Sequence, residues 1–261
     1  MNFKTVLTYL NYKLTAYTEH DLHSPFLYNF YTELIKNEYP FDDFETLHTI
    51  RLNLLSNPQN IEVTDLGAGS RKLDSAKRPV AQIARHGIAQ KKQAEFLYRL
   101  VNRFAPKTII ELGTSVGLTT LYLSAPLKNS RVYTIEGCGN LHRFSAQLFK
   151  QHQVKNIQAI HGNFNDQLPA LLESLDSVDL LYIDGNHAYE PTMHYFHLAL
   201  AKKNPSTIMV FDDIYWSEGM EKAWKEICAH KDVTLSLDLF HFGIIFFRTE
   251  QKNKEHFVLK F

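Results

Sequence analysis

From Thr108 onward, short apolar runs rich in β-branched residues alternate with amphipathic stretches of helical period, and few architectures accommodate that rhythm. The apolar runs occupy residues 108–112, 132–135, 157–160, 180–183 and 207–211. Between them lie helical patterns at 145–152, 168–175, 193–201 and 219–229. Strands and helices alternating at this length build right-handed crossover units, and so a parallel sheet. The rhythm changes at the end, where VTLSLDL and FGIIFF follow each other with no helix between them. They predict an antiparallel pair closing the sheet edge. Before residue 58 the spacing is helical, through Phe3, Val6, Leu7 and Leu10, then Phe26, Leu27, Phe30, Tyr31 and Leu34. Ser24 and Pro25 suit a helix start, and Asp42 and Asp43 can cap a third helix. The division expected is a helical cap with a glycine loop over residues 1–90, and an α/β domain over 91–261.

Composition narrows the function classes. Lys plus Arg equal Asp plus Glu at 28 each, which leaves no electrostatic footprint for nucleic acid or an anionic membrane. Two cysteines, Cys138 and Cys228, are too few for a disulfide framework or a zinc cluster. No apolar run reaches the ~20 residues of a membrane helix, and the first residues lack the apolar core of a signal peptide. A cytoplasmic protein with a small-molecule partner is expected, without nucleic acid or membrane; a homodimer stays open.

Two segments read as a strand entering a glycine turn: VTDLGAGSRK (63–72) and TIIELGTSVGLTT (108–120). The second leads into a good helix, and the next strand ends in Glu136, 25 residues after Glu111. An acid at the end of the second strand is where a βαβ site hydrogen-bonds ribose hydroxyls. The first leads into a basic stretch with Pro79 and reads as a loop. Gly113 and Gly117 stand four apart, unlike the G-x-G-x-x-G that presents a helix start to a pyrophosphate. A cofactor without phosphate fits better than a nicotinamide dinucleotide.

These motifs, and QAEFLYRLVNRFAPKTIIELGTSVGLTTLYLS as a whole, resemble the class I S-adenosylmethionine-dependent methyltransferases. Among them the sequence is similar to the metal-dependent O-methyltransferases of the catechol and caffeoyl-CoA type. The resemblance covers about residues 90–250 and implies a Rossmann-like methyltransferase fold: a mostly parallel seven-stranded sheet with an antiparallel C-terminal pair. It implies that Glu111, Gly113 and Gly117 surround the methionine part of the cofactor, with Thr114 and Ser115 also among the cofactor-binding residues. Glu136 and Gly137 would hold the ribose, and Asn163 and Phe164 would border the adenine.

The fourth and fifth strands end in YIDGNHAYE and VFDDIYW. In an open α/β sheet, ligands bind beyond the carboxyl ends of strands. Asp184, Asp212 and Asp213 are therefore expected on one rim, where their mutual repulsion favours a hard dication such as Mg2+ or Mn2+. The alternative is that they cap the following helices. The resemblance implies the metal, with Asp184 also near the cofactor. Asp213 departs from the Asn of the catechol type and matches the acid pair of the macrolide-sugar O-methyltransferases. His187 stands where the catechol type has its general-base lysine, and an imidazole with pKa near ~6.5 suits that role. The expected activity is metal-assisted O-methylation of a small hydroxylated molecule. The competing readings are a non-catalytic cofactor-binding or interaction module and a methyltransferase of macromolecules. Against nucleic acid, the place of an Asp/Asn-Pro-Pro-aromatic motif reads Asp184-Gly-Asn-His.

Overall fold

The computed structural model describes residues 3–64 and 75–261. The GAGSRK segment of the first glycine turn lies outside them. In chain order the elements are α1 (Phe3–Thr15), α2 (Pro25–Phe30, continued by a wider turn Tyr31–Ile35), α3 (Asp43–Ser56), β1 (Asn60–Thr64), β2 (Ser75–Pro79), α4 (Val80–Gly87) and α5 (Lys91–Phe104). The alternating part follows: β3 (Thr108–Leu112), α6 (Leu118–Ser124), β4 (Arg131–Glu136), α7 (Gly139–Gln151), β5 (Ile157–His161), α8 (Phe164–Glu173), β6 (Val178–Ile183), α9 (Tyr189–Leu200), β7 (Lys203–Asp212) and α10 (Glu218–Ala229). The chain ends in β8 (Leu235–Asp238), β9 (Phe242–Phe246) and β10 (Glu255–Val258). Among the described residues no helix is long and apolar enough to cross a membrane.

The chain forms two compact units, one of residues 38–174 and one of 1–37 with 175–261. In the 38–174 unit, β3, β4 and β5 pair in parallel, Ile109 opposite Val132 and Val132 opposite Ile157. Strand β3 is buried on both faces, as crossover helices on each side require. Beside it, α3, α4, α6 and α7 close a core around Leu47, Ile50, Ala94, Tyr98, Leu118 and Tyr122. Helix α3 starts without a carboxylate cap: Asp42 makes no capping bond. The Asp43 carboxylate instead accepts from the Tyr98 hydroxyl at 2.7 Å. Strands β1 and β2 form an antiparallel hairpin that the sequence pattern did not announce. Its base is tied down by the start of α7, where Asn140 Nδ2 donates to the Glu62 carbonyl at 2.7 Å.

In the other unit the strand order is β10-β8-β9-β7-β6. β6 and β7 are parallel, and β9 runs antiparallel to both β7 and β8, as the two consecutive apolar runs predicted. That pair does not close the edge, however. β10 adds in parallel outside β8, one strand more than the seven expected among the described residues. Its EHFV is too short and too polar to stand out as a strand. The N-terminal helices belong to this unit. The Tyr12 hydroxyl donates to the Leu259 carbonyl at 2.8 Å and accepts from the Phe261 amide at 2.7 Å. The rings of Phe26 and Phe30 meet Phe246 edge-on at 5.5 and 6.1 Å. The helical stretch read as one cap is thus shared: α1 and α2 cover C-terminal strands, whereas α3 packs in the 38–174 unit.

Candidate functional site

The turn after β3 is held open by backbone conformation. Gly113 and Gly117 take φ of 107° and 86°, and Ser115 takes 49°. Left-handed geometry is cheap for glycine and costs other residues. At Gly117 space is short as well, since a Cβ would lie 2.8 Å from the Phe149 ring. Gly117→Ala is therefore expected to cost about 2–4 kcal/mol, combining left-handed strain with overpacking. Denaturant unfolding reads this directly, and a loss below about 0.5 kcal/mol would mean the turn relaxes freely.

Glu136, at the end of β4, reaches back to that turn. Its carboxylate accepts from the Ser115 amide and from the Cys138 amide, each at 2.8 Å. Burial raises its pKa, and these backbone donors together with the charge of His161 pull against the rise. Two oxygens with about four acceptor sites between them retain capacity beyond these two bonds. Glu111 plays a different part. It is fully buried, and Oε2 accepts from the Thr120 and Thr134 hydroxyls at 2.5 and 2.6 Å. Thr114 is buried too and shares a 2.5 Å bond with Thr134. These groups brace the turn from within. At the end of β5, Gly162 has φ of 148°, where a Cβ would collide with Gln167. The Asn163 side chain caps α8, accepting from the Asn165 amide at 2.9 Å. Phe164 opens the same helix, half-buried.

The acidic set lies in the other unit, at the ends of β6 and β7. The Tyr182 hydroxyl stands between two carboxylates, 3.0 Å from Asp212 Oδ2 and 3.3 Å from Asp184 Oδ2. One hydroxyl proton serves one carboxylate at a time, so the pair remains crowded. Asp213 takes a left-handed φ of 51°, and its amide donates to the His241 carbonyl at 2.8 Å and to Asp212 Oδ1 at 3.0 Å. None of the three acids caps a helix. α9 starts from Ala188 without a side-chain cap, and α10 is capped by Ser217, which accepts from the Met220 amide. The capping alternative is thereby removed.

Burial, followed by the charges of Asp184 and Asp213, pushes the Asp212 pKa well above the usual carboxylate range. Asp213 moves the same way through burial, with His187 and His241 opposing. His187 Nε2 lies 3.5 Å from Asp184 Oδ1. Burial disfavours its charged form, but the Asp184 contact and the charges of Asp184 and Asp213 outweigh burial, and its pKa is raised. Among the described residues no group of three or more His, Cys, Asp or Glu side chains is arranged to hold a metal ion. The donor chemistry suits a hard dication all the same: carboxylate oxygens, partly buried, crowded against each other and opposed mainly by histidines. Tyr182 was not singled out from the sequence. Its signal was the two-residue spacing to Asp184, just past the end of β6, which in extended chain puts both side chains on one side.

Comparison with known proteins adds the following. Residues 110–214 match a family model described as a methyltransferase domain. A catechol O-methyltransferase of Niastella koreensis is 33% identical over 132 residues, covering 47% of this chain and 56% of that protein. The chain spans 56% and 65% of the length of two curated relatives it matches. In three dimensions it is similar to an O-methyltransferase from Bacillus cereus in complex with S-adenosylhomocysteine, with a TM-score of 0.57 at 17% identity over 82% of this chain and 94% of that one. It is also similar to an O-methyltransferase of tomaymycin synthesis from Streptomyces achromogenes in complex with S-adenosylmethionine, with a TM-score of 0.55 at 20% identity over 62% and 82%.

Proposed function

We propose that the chain, whose residues 110–214 match a methyltransferase domain and whose fold is similar to that of O-methyltransferases, transfers the methyl group of S-adenosylmethionine to a hydroxyl of a small molecule. The observation that carries the cofactor half is the Glu136 carboxylate drawn onto the Ser115 amide of the glycine turn. It puts an acid with spare acceptor sites beside the glycine turn, without the closely spaced glycines a pyrophosphate needs. Gly113, Ser115, Gly117 and Gly137 would line the cofactor, the amides of the first three being held by Ile135, Glu136 and Thr114, and Glu136 would accept from ribose hydroxyls. Thr114 would contribute main chain only, since its side chain is buried and engaged, whereas Asn163 keeps its amide donors beyond the cap made by its oxygen.

Bound S-adenosylmethionine supplies a methyl carbon carried on a sulfonium. In the transfer an acceptor oxygen bonds to that carbon while the carbon–sulfur bond breaks and its electron pair stays on sulfur. A neutral hydroxyl is a poor nucleophile, so its proton needs a destination, and the His187 imidazole would take it. Asp184, beside Nε2, orients the ring and stabilises it once charged. Asp184, Asp212 and Asp213 would hold a divalent cation, which would lower the acceptor hydroxyl's pKa. The relative named for catechol methylation makes a catechol the first acceptor to try. This reading keeps the protein in the cytoplasm with a small-molecule acceptor.

The test is thermal unfolding of the full chain with added S-adenosylhomocysteine or NAD. A ligand that binds only the native state raises the melting temperature by mass action, by about 2.7 kcal/mol of stability at a hundredfold excess over its Kd. S-adenosylhomocysteine is expected to do so and NAD to have no effect. A shift with NAD alone would overturn the cofactor assignment. Turnover of catechol with S-adenosylmethionine then separates an enzyme from a module that only binds the cofactor.

A further inference from the structure

The 38–174 unit contains a cleft away from the glycine turn. The cleft, of about 500 Å³, runs between α3, the end of α6 and the segment leading into β5. Asn156 immediately precedes β5 and Ser124 ends α6, so the cleft lies where the parallel strands begin. Glu136 and Gly113 stand where strands β4 and β3 finish. The wall is fixed, because Asn156 Nδ2 donates to the Ser124 and Leu127 carbonyls at 3.0 and 3.1 Å. The floor is apolar: Leu47, Ile50 and Leu121 lie beneath it, 4%, 4% and 3% exposed, and half-buried Ala125 and Val154 add accessible apolar surface. The rim carries Lys128, Lys155 and His152, all exposed, against a single lining carboxylate, Asp43. That carboxylate is engaged by the Tyr98 hydroxyl.

We propose that this cleft binds an organic anion with an apolar ring or chain, the anionic head held by Lys128 and Lys155 and the body lying on Leu47, Ile50 and Leu121. The volume lies within the roughly 300–1,000 Å³ of pockets that enclose small ligands, and an apolar floor with few polar groups at one side is their usual build. The charge selects the sign of the head. Two lysines at the mouth attract a carboxylate, sulfonate or phosphate, and a cation would meet them with only an engaged Asp43 in compensation. The floor selects an apolar body, because a fully polar ligand would leave its donors and acceptors unpaired there.

The probe is 8-anilinonaphthalene-1-sulfonate, titrated into the full chain and followed by its fluorescence. Saturable binding is expected. The double variant Lys128→Glu with Lys155→Glu should weaken it roughly tenfold or more, the scale of lost charge-assisted contacts. Ala125→Trp, which fills the cleft and leaves the lysines in place, should weaken it likewise, and circular dichroism melting checks that both variants are folded. Affinity unchanged in both folded variants would put the dye on another apolar surface and overturn the proposal. So would the absence of saturable binding to the wild-type chain.

Discussion

His187→Ala is expected to lower kcat for catechol methylation by ~10²–10⁴-fold, the usual worth of general-base assistance. The loss should fall on kcat rather than on cofactor affinity, because the imidazole belongs to the acidic set and not to the glycine turn. Its Nε2 lies 3.5 Å from Asp184, and its side chain is about a quarter exposed, so an acceptor proton can reach it. Asp184 and Asp213 favour the imidazolium that proton transfer creates. Removing the ring therefore removes both the proton's destination and the cation that the neighbouring carboxylates stabilise. Added imidazole should restore part of the rate in the alanine variant, since a free base can occupy the space vacated. A variant that keeps its rate, or that loses affinity for S-adenosylhomocysteine in step with activity, would make His187 a structural residue.

The alternation of apolar and amphipathic runs was enough to place β3 through β7 and the helices between them, because buried parallel strands and their covering helices carry strong periodic signals. Strand β10 escaped because EHFV is half-exposed and pairs at an edge, where packing asks little of composition. Among site residues, Glu136 and the three aspartates were legible as acids at strand ends. Their partners were not. The Ser115 and Cys138 amides that hold Glu136 carry no side-chain signature at all. Whether an aspartate caps a helix or points elsewhere depends on one backbone turn, and at Asp213 a left-handed φ settles it. Glu111 shows the opposite limit. In sequence it looks like the acid of a ligand turn, yet it is wholly buried among Thr120 and Thr134, and only tertiary packing reveals that.

Asp212→Asn is expected to abolish turnover and, in the same protein, to raise the melting temperature measured without ligand. Both follow from crowding. Asp212 is buried beside Asp184 and Asp213, so its negative charge is costly in the folded chain, and its pKa lies well above the usual carboxylate range. For such a group the folded state holds its proton more tightly than the unfolded state does. The penalty is therefore full above the folded-state pKa and fades as pH falls through it. Asparagine removes that charge and, with an amide nitrogen in place of Oδ2, trades the bond accepted from the Tyr182 hydroxyl for one it donates. Its oxygen can still accept from the Asp213 amide, and its amide can donate towards Asp184. A gain of about 1 kcal/mol would appear as ~2–4 °C in a chain of this size, larger at pH 7 than at pH 5. Added Mg2+ should stabilise the wild-type chain and leave Asp212→Asn unmoved, because the carboxylate a hard cation needs is gone. Dialysis against EDTA should likewise stop wild-type turnover until Mg2+ or Mn2+ is returned, with S-adenosylhomocysteine binding intact throughout. Undiminished turnover in chelator would end the metal reading, and a lower melting temperature for Asp212→Asn would show that the three carboxylates do not strain the fold.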